Sequence, residues 1–374
     1  MSGVTSNVSP EKVRSVFKNG GQLDTPYTRA IAAPEDERTW VVFSHVRIPA
    51  ESFAQSRVFE LLGGAKIHFN ALANDWYGGG IPGVGSTYTE VTAWLSTALA
   101  DRDPRQVTFV GHSMGAHAAL VFSDRFPASH FLATSPELTL AQPGSRSRDN
   151  GVSLSHPKVD LYRSISPRNR TKQGMTIFGS YDAVDAGYLA QSRTYSGRFG
   201  KIYVAPYHHG VTEYLTHNRF YLSLLENRQA YADALMAKGG ISGAPDDLTR
   251  QRLWTFAELY REWETGQMVR ALRLAKVNEN WDHAGWQSLV ATVLSRAGAN
   301  DAALGRARRA ARLEPQIAEY LLLYAKLANA ARSLTCLNEA EALMRAMVRP
   351  HRAVRSYLEK GDRKAPFRLN FARR

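Results

Sequence analysis

Cysteine is almost missing from this chain of 374 residues: Cys336 stands alone. A disulfide framework and a cysteine-based zinc site are therefore both excluded. Long hydrophobic runs are missing as well, and without a stretch of about eighteen apolar residues no transmembrane helix is expected. The opening segment, MSGVTSNVSPEKVRSVFKNG, lacks a basic region followed by an apolar one. A secretory leader is not expected from it, and a cytoplasmic protein is. Metal-ligand spacings such as HxH and HExxH are absent, so no metal is expected. No G-x-G-x-x-G or Walker loop opens a helix, since GGGIPGVG at 78–85 is too long and has no Lys. No cofactor is implied.

What remains is the composition of an ordinary soluble globular protein, 44% hydrophobic and 22% charged. The length suits two domains better than one. Charge separates them: residues 1–246 hold 24 basic and 21 acidic side chains, whereas residues 247–374 hold 23 and 13, a net of +10. The excess peaks between Arg345 and Arg374, where ten basic residues face only Glu359 and Asp362. Such a tail could attract an anionic surface. No nucleic-acid motif accompanies it, and nucleic acid is not expected as a partner.

Along the first 215 residues, short β-rich runs alternate with amphipathic stretches, which points to a mostly parallel sheet flanked by helices. Strands are expected at Arg29–Ala33, within TWVVFSH (39–45), at Lys66–Leu72, Gln106–Val110, His130–Thr134, Gly174–Gly179 and Lys201–Ala205. Helices are expected at Ser52–Leu62, at Ser86–Leu99 with Ser86 as its N-cap, at Ala116–Phe126 and around Ala183–Ser192. Residues 136–158 are polar and read as a loop or small lid. After Arg219–Ala237, the residues Gly239, Gly240, Gly243 and Pro245 form a linker, and everything beyond has helical period. The division expected is 1–240, 247–348 and a basic tail, 349–374.

One motif carries chemistry. Gly111-His112-Ser113-Met114-Gly115 fits G-x-S-x-G, with the strand VTFV before it and GAHAALVF after it. A nucleophile elbow needs that context: a strained turn holds the serine, and only small neighbours avoid a clash. With these residues, the region from about 29 to 215 resembles the α/β-hydrolase superfamily of serine esterases, lipases and thioesterases.

The resemblance implies a Ser-Asp-His order along the chain, the acid after a later strand and the histidine after the last. TIFGSYDAVD offers Asp182 as the acid, with Asp185 and Glu137 as alternatives. KIYVAPYHHGVTEYL offers His209 as the base, with His208 as its rival. Met114 would supply one oxyanion N–H. Val46 would supply the other by position, although Ser44-His45-Val46-Arg47 lacks the usual glycine. Trp76 and Tyr77 could wall a substrate pocket or anchor their loop, and Arg47 could bind an anionic group.

The expected activity is hydrolysis of a carboxylic ester or thioester of a small molecule, lipid or glycan, through an acyl-enzyme on Ser113. Acyl transfer to a sugar or lipid hydroxyl is one alternative. A non-catalytic scaffold working through its helices is another. Those helices, best seen in 284–315 with Ala291, Gly298, Ala303, Ala310 and Pro315, resemble tetratricopeptide repeats. Leu248–Trp263 with Gln267–Asn278, and Ile317–Cys336 with Asn338–Met347, would be further copies. The resemblance implies a protein partner or self-association through them.

Overall fold

Parallel strands that are covered on both faces must be apolar at every position, not at alternate ones. TWVVF and HFLAT come close, polar only at Thr39, His130 and Thr134, and all five residues of each are buried. They are the central strands of the computed structural model, which describes residues 7–33, 35, 37–165, 173–192, 197–238 and 240–360. The chain divides into two compact units, Met1–Gly179 with Tyr188–Asp246, and Ser180–Gly187 with Asp247–Arg374.

In the first unit the strands are β1 (Gly21–Asp24), β2 (Thr28–Ala32), β3 (Thr39–Phe43), β4 (Ala65–Phe69), β5 (Val107–His112), β6 (His130–Thr134), β7 (Gln173–Gly179) and β8 (Lys201–Ala205). They form one sheet in the order β1-β2-β4-β3-β5-β6-β7-β8. β1, β2 and β4 are joined antiparallel, and every other pairing is parallel. This is the α/β-hydrolase-like architecture expected, and it brings the carboxyl ends of β3, β5, β6, β7 and β8 to one end of the sheet. The helices between and around the strands are α1 (Pro10–Asn19), α2 (Ser56–Phe59), α3 (Tyr88–Ala98), α4 (Met114–Ser123), α5 (Arg146–Asp149), α6 (Leu161–Ser164), α8 (Val211–His217) and α9 (Phe220–Ala237), while α7 (Ala183–Ala190) begins in the second unit's segment 180–187.

Several boundaries differ from the sequence expectation. The helix expected over Ser52–Leu62 shrinks to α2. Asn70 Nδ2 donates to the carbonyls of Ile48, Pro49 and Ser52, which holds that stretch as a loop, and Gln55 turns left-handed at φ 62°. Thr87, not Ser86, caps α3, because the Ser86 hydroxyl is taken by the Glu90 carboxylate. α1 and β1 had no counterpart in the sequence reading. Within 136–158, α5 forms and Leu138, Leu140 and Ser147 are buried, so much of this stretch is packed. Beyond α9 the chain does not leave as a free linker: Ile241 is buried and Ser242 pairs with Val204. Gly239 lies outside the described residues.

In the second unit the helices are α10 (Asp247–Glu264), α11 (Met268–Ala275), α12 (Ala284–Arg296), α13 (Asn300–Leu313), α14 (Ala318–Ala330), α15 (Leu334–Arg345) and α16 (Arg352–Lys360). From α10 to α15 successive helices pack on one another, and α16 packs on α14, around a core rich in alanine, including Ala291, Ala303, Ala307, Ala311, Ala325 and Ala340. Residues 180–187 group with these helices: the Tyr181 hydroxyl donates to Glu314 at 2.7 Å, and its ring meets His283 edge-on. The break between the last expected helix pair falls at 331–333, not near Cys336. Arg332 is left-handed there, and Ser333 accepts from the Cys336 N–H to start α15. Residues 361–374 of the basic tail lie outside the described residues.

Candidate active site

The elbow explains its own glycines. A Cβ on Gly111 would lie 2.1 Å from the Gly115 carbonyl oxygen, and one on Gly115 would lie 2.2 Å from that of Phe43. Neither approach tolerates a side chain. β5 and the start of α4 are thereby pressed together, and α4 begins against the end of β3, directly before Ser44-His45-Val46. Ser113 sits between them at φ 54°, ψ −118°, a backbone conformation that costs a non-glycine residue about 1–3 kcal/mol. The Ser113 N–H is tied to the Thr134 carbonyl of β6 at 2.9 Å.

The side chain so presented has one partner that matters. His209 Nε2 lies 2.8 Å from Ser113 Oγ, within the reach a general base needs. His208 turns elsewhere, with Nδ1 accepting from the Gly210 N–H at 3.0 Å. His209 leaves β8 four residues after Ala205 and immediately precedes the Gly210 cap of α8.

Asp182 leaves the neighbouring strand, three residues after Gly179, and Gly179 pairs with Ala205 in the final register of β7 and β8. A Cβ on Gly179 would strike the His208 carbonyl oxygen at 2.3 Å, so the two strand ends adjoin just before these residues. Asp182 Oδ1 accepts from the N–H groups of Val184 and Asp185 at 3.0 Å, capping α7. Asp185 lies within the first turn of that helix, and both are buried.

Glu137 is engaged differently. Its carboxylate accepts from the N–H groups of Arg146, at 2.7 Å, and Ser147, at 3.1 Å. Burial pushes its carboxyl up to about 7, against the pull of Arg146.

Met114 and Val46 carry N–H groups with no hydrogen bond among the described residues. Val46 lies in the loop where His45 Nδ1 meets the Val46 carbonyl at 2.9 Å. Arg47 is exposed and left-handed at φ 64°, its N–H donating to Asn74 Oδ1. Trp76 and Tyr77 are left-handed too and have no exposed surface. The Tyr77 hydroxyl donates to the Ser44 carbonyl at 2.9 Å, so this ring struts the loop that carries Val46. As placed, neither ring offers a wall to a substrate.

One residue of the site was not singled out from the sequence. The His112 ring lies 5.1 Å from that of His209 and 5.8 Å from that of His45. Its Nδ1 faces the Thr134 carbonyl at 3.1 Å, so a proton belongs on Nδ1. Burial, then the neighbouring His209 and His45, hold it well below the usual imidazole range. Its place in the G-x-S-x-G motif was the available signal.

No protein-family model and no curated protein matches the sequence. Solved structures with some likeness include a capsule O-acetyltransferase of Neisseria meningitidis serogroup A, 13% identical over 56% of this chain and 99% of that one, with a TM-score of 0.41. Another is a Gap123 glycosylation-associated complex from Streptococcus agalactiae, 15% identical over 59% of this chain and 47% of that one, at 0.37. A third is the EstE1 carboxylesterase from a metagenomic library, 13% identical over 67% of this chain and 98% of that one, at 0.32. Likeness at this level bears on none of the assignments that follow.

Proposed function

We propose that the protein is a serine-dependent acyl-transferring enzyme that cleaves a carboxylic ester or thioester. The observation that carries this reading is the 2.8 Å approach of His209 Nε2 to Ser113 Oγ at a strained strand-to-helix turn. Ser113 Oγ attacks the acyl carbonyl as its proton passes to His209 Nε2. The oxyanion takes the N–H donors of Met114 and Val46. Collapse of this intermediate breaks the bond to the leaving group, which takes the proton from His209 and leaves an acyl-Ser113 ester. A water, or a sugar or lipid hydroxyl, then attacks that ester, with His209 receiving its proton and returning it to Ser113. Asp182 holds the imidazole tautomer and stabilises the imidazolium. Its departure from the strand next to the one preceding His209 supports that role over Glu137, whose oxygens are engaged by Arg146 and Ser147.

The test is the intact mass of the full chain after treatment with a fluorophosphonate. One adduct is expected on the wild type, none on Ser113→Ala, and slowing by at least ~10³-fold in His209→Ala. Asp182→Asn is expected to slow labelling far more than Asp185→Asn. A folded wild-type chain that takes no adduct overturns the reading and favours the scaffold alternative. Faster release of the acyl group on addition of a glycan or alcohol would identify transfer over hydrolysis.

A further inference from the structure

A cavity of about 340 Å³ opens between α3, the end of α4 and the stretch 158–165. That volume lies in the range of small-molecule sites. It is separate from the elbow, since Val121 lies about 10 Å along α4 from Met114.

Its chemistry is two-sided. Tyr88, Val121 and Ile165 give it an apolar lining, and all three are buried. Lys158, the exposed Arg125 and the Asp124 carboxylate stand at the same cavity, and neither cation makes an ion pair among the described residues. Lys158 is partly buried. Burial first, and then repulsion from Arg125, draws its ammonium below the usual range, while Asp124 pulls weakly the other way. Two cations against one carboxylate leave the cavity an excess positive charge, which a bound anion offsets.

We infer that this cavity is a second ligand site, which takes a small oxyanion, carboxylate or phosphate monoester, carried on an apolar body. Lys158 and Arg125 bind the charged end, and Tyr88, Val121 and Ile165 cover the rest. The site is independent of the chemistry at Ser113.

Calorimetric titration of the full chain with phenyl phosphate, benzoate and benzyl alcohol tests it. At least one of the two anions is expected to bind saturably, one per chain, and the neutral alcohol is not. Which anion binds decides between the phosphate and carboxylate forms of the ligand. Lys158→Gln and Arg125→Gln should each weaken binding at least ~10-fold, while Lys158→Arg should retain it and all three should keep the wild-type rate of fluorophosphonate labelling. The Arg125 variant decides the matter if the Lys158 variant does not fold. The inference is overturned if neither anion binds saturably, if the alcohol binds as well as they do, or if affinity survives in both glutamine variants. Failure of wild-type labelling would count against the Ser113 reading alone.

Discussion

The two units fill their interiors by opposite means. In the first, large rings do it: Phe43 stacks on Phe69, Phe109 and Phe122 at centroid distances of 5.5, 6.5 and 5.2 Å. In the second, α13 contributes Ala303, Ala307, Ala310 and Ala311, all fully buried, and the helices approach closely because so little stands between them. A sheet covered by helices leaves deep layers that only large side chains fill. Around α13 alanine leaves little such room, although Trp286 and Tyr324 are also fully buried in that unit. The first unit should therefore be sensitive to lost volume and the second to added volume.

The sharpest way to break that contrast is to reverse the volumes. Phe43→Ala should destabilise the first unit by about 3–5 kcal/mol, and Ala307→Leu the second by about 1–3 kcal/mol, each read by chemical denaturation of the full chain. If Ala307→Leu proves neutral, the helical core is looser than its burial implies.

Acid should separate the units next. His68 and His117, in the first unit, are held down to about 3 by burial, and His45, His112 and His156 are lowered as well. The unfolded chain takes up protons at these positions below about 6.5 while the folded chain does not, so stability present above that pH is lost as pH falls. Each such histidine contributes about 1.4 kcal/mol of loss per pH unit at most. Glu137 acts in the opposite sense. Folding raises its pKa from 4.5 to about 7, so its contribution is full below 4.5 and lost as pH rises to 7. In the second unit, burial holds His283 down to about 3. Hydrogen exchange, corrected for its intrinsic pH dependence, should show β3–β6 loosening more than α12–α14 between pH 7 and pH 5. Equal loosening would remove the distinction.

The smallest effect belongs to the surface of the second unit. Arg309 meets Asp282 at 2.6 Å, but the pair is solvated. Arg309→Ala should cost under about 1 kcal/mol and less still at high salt, measured by thermal unfolding.

The contrast also governs what could be read from the residues alone. Strands such as TWVVF and HFLAT announce themselves, because a central parallel strand is apolar nearly throughout. The approach of His209 to Ser113 was legible because an elbow restricts which residues surround its serine, and the resemblance places a histidine after the last strand. The role of Tyr77 was not legible: a tyrosine after a strand looks the same whether it faces a ligand or donates to the Ser44 carbonyl 33 positions earlier. The extent of α2 was hidden for a similar reason. It is set by the Asn70 amide, which competes for the backbone of 48–52 from a distant point in the chain. The break at Arg332 is not legible because alanine-rich sequence has uniform helical preference, and Ser333 alone marks the new start.

The short pairing beyond α9 has a consequence for self-association. β8 is the last strand of the sheet, and its outer side would present unpaired N–H and carbonyl groups to any passing extended segment. Val204 instead exchanges two 2.8 Å hydrogen bonds with Ser242, and Ile241 is buried beside them. Those few residues blunt the edge against strand addition from another molecule. A chain cut at residue 240, where composition alone would end the domain, keeps every strand and the whole elbow but loses that guard. Its sheet edge would be open to strand addition and aggregation.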